Sequence, residues 1–230
     1  MTINPDTIIY FQWGWLQVNA TIFFTWLVMF LLTFGSWLIT RKLTSKGPLS
    51  RWQNLLEVLV NMLKGQIYEV SRQDPGPYLP FVGTLFIFIA ISNVLAIVPG
   101  YIPPTSSLST TAALAICVFI AVPVFGIASR GVINYLRQYL QPTFFMLPFN
   151  VIGELSRTLA LAVRLYGNMM SGTIIVAILL TITPLVFPIV MQALGLLTGL
   201  IQAYIFAILA MVYIASASKA HQEIEKKGEV

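Results

Sequence analysis

Residues Glu154 to Gly172 read ELSRTLALAVRLYGNMMSG, and their three charges stand inside an apolar stretch that runs from about Pro148 to Ile182. A charge at the centre of a bilayer costs at least about 2.5 to 3.5 kcal/mol even on the most lenient insertion scale, so such residues are functional by default. Arg157 and Arg164 are seven positions apart and share one helical face, with Ala160, Asn168 and Ser171 on or near it. Bulky Leu159, Val163, Leu165 and Ile174 take other directions, so this stripe of small and polar residues admits a close helix neighbour while Arg164 projects into the gap.

A second apolar stretch follows at once, from about Pro184 to Ser218. A helix of about 33 residues measures about 50 Å, against a hydrocarbon core of about 30 Å. Both stretches must therefore tilt strongly or lie partly along the membrane. Toward the N-terminus three ordinary spans appear, at about Ala20–Ile39, Pro77–Val98 and Leu108–Ala128, the last two joined by the polar turn PGYIPPTSS. Between the first two, LSRWQNLLEVLVNMLKGQIYEVSR (residues 49–72) places Leu55, Leu59, Met62 and Leu63 at helical spacing among charges, which predicts an amphipathic helix lying in the interface. The fold class expected is all-α and integral to the membrane. It comprises five spans plus the interfacial helix in one membrane domain over residues 1–230, with no strand alternation.

The bulk numbers agree. The 230 residues are 57% hydrophobic and only 9% charged, and the mean hydropathy is +0.84. Soluble domains carry about 25% charged residues. The net charge of +5 sits in short clusters beside the spans, so it reads as a topology signal and not as a nucleic-acid surface. Arg41, Lys42, Lys46, Arg51, Lys64 and Arg72 fall between spans one and two, and Arg130 and Arg137 between three and four. Lys219, Lys226 and Lys227 follow span five, and neither the other connections nor the N-terminal segment holds a lysine or arginine. The rule then puts the N-terminus outside and the C-terminus in the cytoplasm. No cleavable leader is expected in MTINPDTIIYFQWGW, and the Asn19-Ala20-Thr21 sequon reads as accidental.

Cys117 is the only cysteine, and His221 stands in the charged tail, so neither a disulfide framework nor a metal cluster is available. No nucleotide-binding loop or nucleophilic triad appears, so no cofactor and no catalysis by this chain alone are expected. The second long stretch carries Gln192, Gly195, Gly199 and Gln202 at helical spacing. Gly195 and Gly199 form a GxxxG pair, whose simplest reading is helix packing. The glutamines need buried partners, such as a guanidinium, water or a hydrated cation. Arg164 lies far from either end of its stretch, which disfavours snorkelling to an interface. Arg157, three residues from Glu154, reads equally as half of a structural ion pair and as part of an ion path.

Taken together, ELSRTLALAVRLYGNMMSG and LIQAYIFAILAMVYIA resemble the signature helices of F-type ATP synthase subunit a. The run Arg164-Leu165-Tyr166-Gly167-Asn168 and the motif Gln202-Ala203-Tyr204 carry the likeness, with SNVLAIVPG and PPTSSLSTTAALA in support. The resemblance implies a stator whose long hairpin faces a rotor ring of c subunits, with b-type peripheral stalk subunits and the whole F1Fo complex as partners in a bacterial inner membrane. It implies two half-channels, with Arg164 presented to the ring carboxylates and Gly167, Ser171, Gly195 and Gly199 facing the ring. An always-protonated guanidinium suits that role, because it displaces a cation electrostatically without carrying a proton itself.

The sequence also departs from many proton-type relatives, with Thr173, Gly195 and Ser107 where those carry a carboxylate or histidine. Glu154 is the one intramembrane carboxylate left, a half-channel group or the neutraliser of Arg157. A path of hydroxyls and amides suits sodium at least as well as a proton, as in the sodium-type or N-ATPase branch, and both cations stay open. A stand-alone transporter in which Arg164 binds an anionic substrate is the alternative from another class.

Overall fold

A computed structural model describes residues 6, 9–13, 16–41, 51–98, 100–133, 135, 146–183 and 187–219. Lys42, Lys46, Arg137, Lys226, Lys227, His221 and the Pro184 start of the last stretch lie outside them. Among the described residues, six long helices carry the architecture: α1 (Ala20–Thr40), α2 (Arg51–Ser71), α3 (Leu79–Val94), α4 (Leu108–Arg130), α5 (Met146–Ile182) and α6 (Phe187–Lys219). All but α2 are long and apolar enough to cross a membrane. The protein is therefore an all-α integral membrane protein, as its sequence predicts.

One local expectation fails. Ile9–Trp13 (β1) and Leu16–Asn19 (β2) pair as an antiparallel hairpin, with Trp13 opposite Leu16, Gln12 opposite Gln17, and an irregularity between Ile9 and Phe11. β-branched and aromatic residues favour a pleated backbone. Strands of five and four residues are too short for their alternation to emerge from the surrounding apolar sequence.

The bundle core is built by α3, α4, α5 and α6, where Ile89, Val118, Leu161, Leu165, Phe206 and Ala210 are buried together. Alanines at 203, 207 and 210 are buried along α6, and their small side chains let neighbouring backbones approach. Helix α1 stands at the edge, with Trp26 and Phe30 about 70% exposed, a surface suited to lipid. It is tied to the bundle by Phe24, whose ring meets Tyr101 edge-on with centroids 4.9 Å apart.

Helix α2 is amphipathic, and its apolar residues divide between two faces. Leu63, Ile67 and Ser71 are buried, whereas Leu55 and Met62 are exposed with Val58 on a second apolar face. Residues seven apart share a face, so Leu55 and Met62 turn outward together while the Leu63–Ile67 row docks on the bundle. Tyr204 of α6 fastens α2 by donating its hydroxyl to Gln66 Oε1.

Helices α5 and α6, of 37 and 33 residues, form the long hairpin. At 1.5 Å per residue they measure about 55 and 50 Å, well beyond the hydrocarbon thickness.

Candidate functional site

On α5 the residues Ser156, Ala160, Arg164, Gly167 and Ser171 are all exposed, while Leu161 and Leu165, turned toward the core, are buried. Spacings of four, four, three and four place the five on a single face. Beside them, Leu194, Leu197 and Ile201 expose an apolar row along α6. The hairpin thus presents an uncovered surface of small and apolar residues, with one guanidinium at its middle. Arg164 is therefore not buried within the chain. The nearest acidic residue on its helix is Glu154, ten positions away, which is about 15 Å by helical rise.

Asn168 does not join the stripe. Its side-chain amide donates to the Thr198 carbonyl on α6 at 3.3 Å. That bond fixes the register of the antiparallel pair: stepping four residues back from Asn168 and four on from Thr198 brings Arg164 level with Gln202. Gln202 is 5% exposed, and its Nε2 has no partner among the described residues.

Two cavities flank this level. The first, of about 140 Å³, is lined by Asn93, Tyr101, Asn168, Thr173, Gln192 and Gly195 among others. Its amides are held in place: Gln192 donates to the Ala96 carbonyl at 3.0 Å, and Asn93 Nδ2 to the Gly199 carbonyl at 2.8 Å. Thr173 donates to the Met169 carbonyl at 2.8 Å. Burial pushes the Tyr101 phenol pKa well up, so this wall group stays neutral. The second cavity, of about 400 Å³, lies toward the other end of the hairpin and is lined by Tyr135, Asn150, Glu154, Arg157 and Ser216 among others. There the Arg157 guanidinium sits over the Tyr213 ring, 5.8 Å from its centroid, a cation–π geometry. Arg164 lines neither cavity.

Of the glycines expected on the ring-facing surface, Gly167 is exposed and Gly195 has no neighbour within 4 Å of an added Cβ. Gly199 is a correction: it is buried, and a Cβ there would meet Asn93 Cβ at 3.1 Å. It serves the close approach of α3 to α6, the ordinary use of a GxxxG glycine. Ser107 is fully buried at the start of α4. Its hydroxyl lies 2.8 Å from both carboxylate oxygens of Asp6. Asp6, which no other acid follows before Glu57, is brought to Ser107 from 101 positions away.

Fold and site together define a multi-span membrane protein that carries an exposed guanidinium, Arg164, midway along a long helical hairpin. The chain belongs to the ATP synthase A chain family, which it matches over residues 22–215. It is 62% identical over 222 residues to ATP synthase subunit a 2 of Acaryochloris marina, covering 96% of this chain and 95% of that one. It is 60% identical over 229 residues to ATP synthase subunit a of Albidiferax ferrireducens, covering 100% and 99%. With ATP synthase subunit a 1 of Chlorobaculum parvum the identity is 59% over 223 residues, covering 97% and 99%.

Proposed function

We propose that this chain is the ion-translocating stator of a rotary ATP synthase. On this reading it is a single membrane domain with the N-terminus outside and the C-terminus in the cytoplasm of a bacterial inner membrane. The c-subunit ring covers the exposed α5–α6 face, and b-type stalk subunits hold the chain still. The cavity around Asn168 and Gln192 is the outer half-channel, and that around Glu154 and Arg157 the inner one. Arg164 stands between them.

The single observation that carries this reading is the position of Arg164: on the uncovered face, between the levels of two cavities, and lining neither. A transporter that bound an anion through Arg164 would need that side chain in a cavity wall. On the open face it instead meets whatever passes along that face. A ring carboxylate arriving from one cavity releases its cation as the guanidinium approaches, because an opposite charge within a few ångströms favours the ionised carboxylate. Guanidinium is effectively never deprotonated, so it passes no proton through. Ions must then travel with the ring, and each charge crossing 100 mV supplies about 2.3 kcal/mol.

The test is ATP synthesis driven by an imposed ion gradient in liposomes holding the whole complex. Arg164→Ala is expected to abolish it while ATP hydrolysis by the catalytic sector persists. Normal coupled synthesis in that variant would refute the assignment.

A further inference from the structure

We infer that Thr173 and Gln192 determine which cation enters the outer half-channel, by forming a rung of oxygens that can only accept and that admits a monovalent metal ion in preference to a proton. The inference deepens the stator reading above and rests on it. Both residues line the outer cavity, Thr173 from α5 and Gln192 from α6. The register set by Asn168 and Thr198 brings Thr173 level with Ala193, so Thr173 and Gln192 stand at nearly one height across the hairpin.

Hydrogen bonds to the backbone commit these side chains. The Thr173 hydroxyl gives its only proton to the Met169 carbonyl at 2.8 Å, one turn back on its own helix. Its oxygen can then only accept. Gln192 Nε2 donates to the Ala96 carbonyl at 3.0 Å, and Asn168 Nδ2 to the Thr198 carbonyl at 3.3 Å. A backbone carbonyl never donates, so each of these partners fixes which end of the amide faces it and turns the amide oxygen the other way. Gln192 Oε1 and Asn168 Oδ1 have no partner among the described residues. Asn93, the other amide of the wall, is used at both ends, by Gly199 and by Thr105.

A proton relay takes a proton from one neighbour and gives one to the next, and none of these three oxygens holds a proton to give. Tyr101 is the one titratable group among the described lining residues, and burial pushes its pKa well up, so it stays protonated. A metal cation needs only acceptors, because neutral carbonyl and hydroxyl oxygens take the place of water in its shell. The cavity of about 140 Å³ has room for about four molecules the size of water, so the ion keeps part of its hydration and exchanges the rest for the rung. Without a carboxylate the rung holds the ion loosely enough to pass it on. Asn168 lies five residues nearer to Arg164 along α5, about 7.5 Å by helical rise, and offers the next oxygen.

The experiment uses the whole complex in liposomes under a fixed membrane potential and measures ATP synthesis against cation concentration in the compartment opposite the catalytic sector. Sodium is titrated at fixed pH, and pH is titrated with sodium withheld. Thr173 is exposed within this chain, so Thr173→Val removes one acceptor and leaves the fold intact. It is expected to raise the half-saturating sodium concentration roughly tenfold, the worth of one polar contact to a charge. The maximal rate should fall by much less, and the pH arm should not move. Thr173→Ser, which keeps the oxygen, should return the sodium arm close to its original position, and Gln192→Met should shift it in the same direction as Thr173→Val.

A sodium half-saturation unchanged in Thr173→Val, or shifted as far in Thr173→Ser, would overturn the role of the rung. So would a displacement of the pH arm equal to that of the sodium arm, which would make this a proton path. Synthesis by the unsubstituted complex that is indifferent to sodium would overturn it as well. Arg164→Ala run alongside keeps the two ideas apart, since coupled synthesis surviving there defeats the stator reading itself.

Discussion

Asn93 of α3 lies directly against Gly199 of α6, donating its amide to the Gly199 carbonyl at 2.8 Å while its Cβ stands 3.1 Å from where a Cβ on Gly199 would fall. The glycine's missing side chain is what lets the amide close on the backbone, and the same Asn93 accepts from Thr105 on its other side. Gly199→Ala pushes these backbones apart. Overpacking of this kind costs about 1 to 3 kcal/mol, so the assembled complex should melt several degrees lower. Gly195→Ala, with nothing within 4 Å, should leave the melting temperature unchanged. Equal shifts in the two variants would contradict the packing described.

Opposite Arg164, the amide of Gln202 separates stability from function. Its Nε2 is buried without a partner among the described residues, and replacing an unmet donor with an apolar group of similar shape is close to neutral or stabilising. Gln202→Leu should therefore keep or slightly raise the thermal midpoint of the complex while lowering ion-driven synthesis partially. Thermal melting and synthesis measured on the same preparation decide it. A matched loss of both would make Gln202 a structural residue only.

Loss of the guanidinium should act on the barrier to uncoupled flow. Two like unit charges about 6 Å apart repel by about 2.8 kcal/mol at an effective dielectric constant of about 20, and about 1.4 kcal/mol is tenfold in rate. Arg164→Ala is thus expected to raise passive cation leak through the complex by roughly a hundredfold, and Arg164→Lys by much less. Fluorescence of an ion-sensitive dye inside the vesicles reads the difference. Leak unchanged in Arg164→Ala would mean that something other than this charge seals the path.

Much of this arrangement was legible from residue spacing. Of the face expected from spacing, Ala160, Arg164 and Ser171 survive into an exposed stripe, which Ser156 and Gly167 complete, because one helix face is a local property. What could not be read is what depends on a partner element. Gly199 and Gly195 look alike in a GxxxG pair, and only the approach of Asn93 tells them apart. Asn168 shares sequence spacing with the stripe, yet Thr198 draws it sideways. Asp6 is linked to Ser107 across 101 positions and to Thr21 across 15, separations over which no sequence pattern signals a contact.

At the inner cavity the two readings of Glu154 predict opposite double-mutant behaviour. If Glu154 only neutralised Arg157, removing both charges together would restore what either single change lost. The cavity of about 400 Å³ around them and the cation–π contact of Arg157 with Tyr213 favour an ion path, in which Arg157 has its own support. Glu154→Gln should then slow synthesis severalfold, and Glu154→Gln with Arg157→Gln should be no faster. Recovery in the double variant would assign the pair to structure.

The uncovered face gives a prediction about assembly that does not involve charge. Ser171 is exposed one helical turn beyond Gly167, so a large side chain there meets nothing within this chain. Ser171→Trp should leave the chain inserted and folded, because exposed substitutions away from special features change stability by about 0.5 kcal/mol or less. Against a closely apposed ring the same indole has no room, since small residues on a helix face are what permit backbone contact in lipid. The c ring should therefore be lost from complexes purified through this chain, whereas Phe30→Trp, on the exposed side of α1, should retain it. Retention of the ring with Ser171→Trp would place the ring on a different face of the hairpin and move Arg164 out of its path.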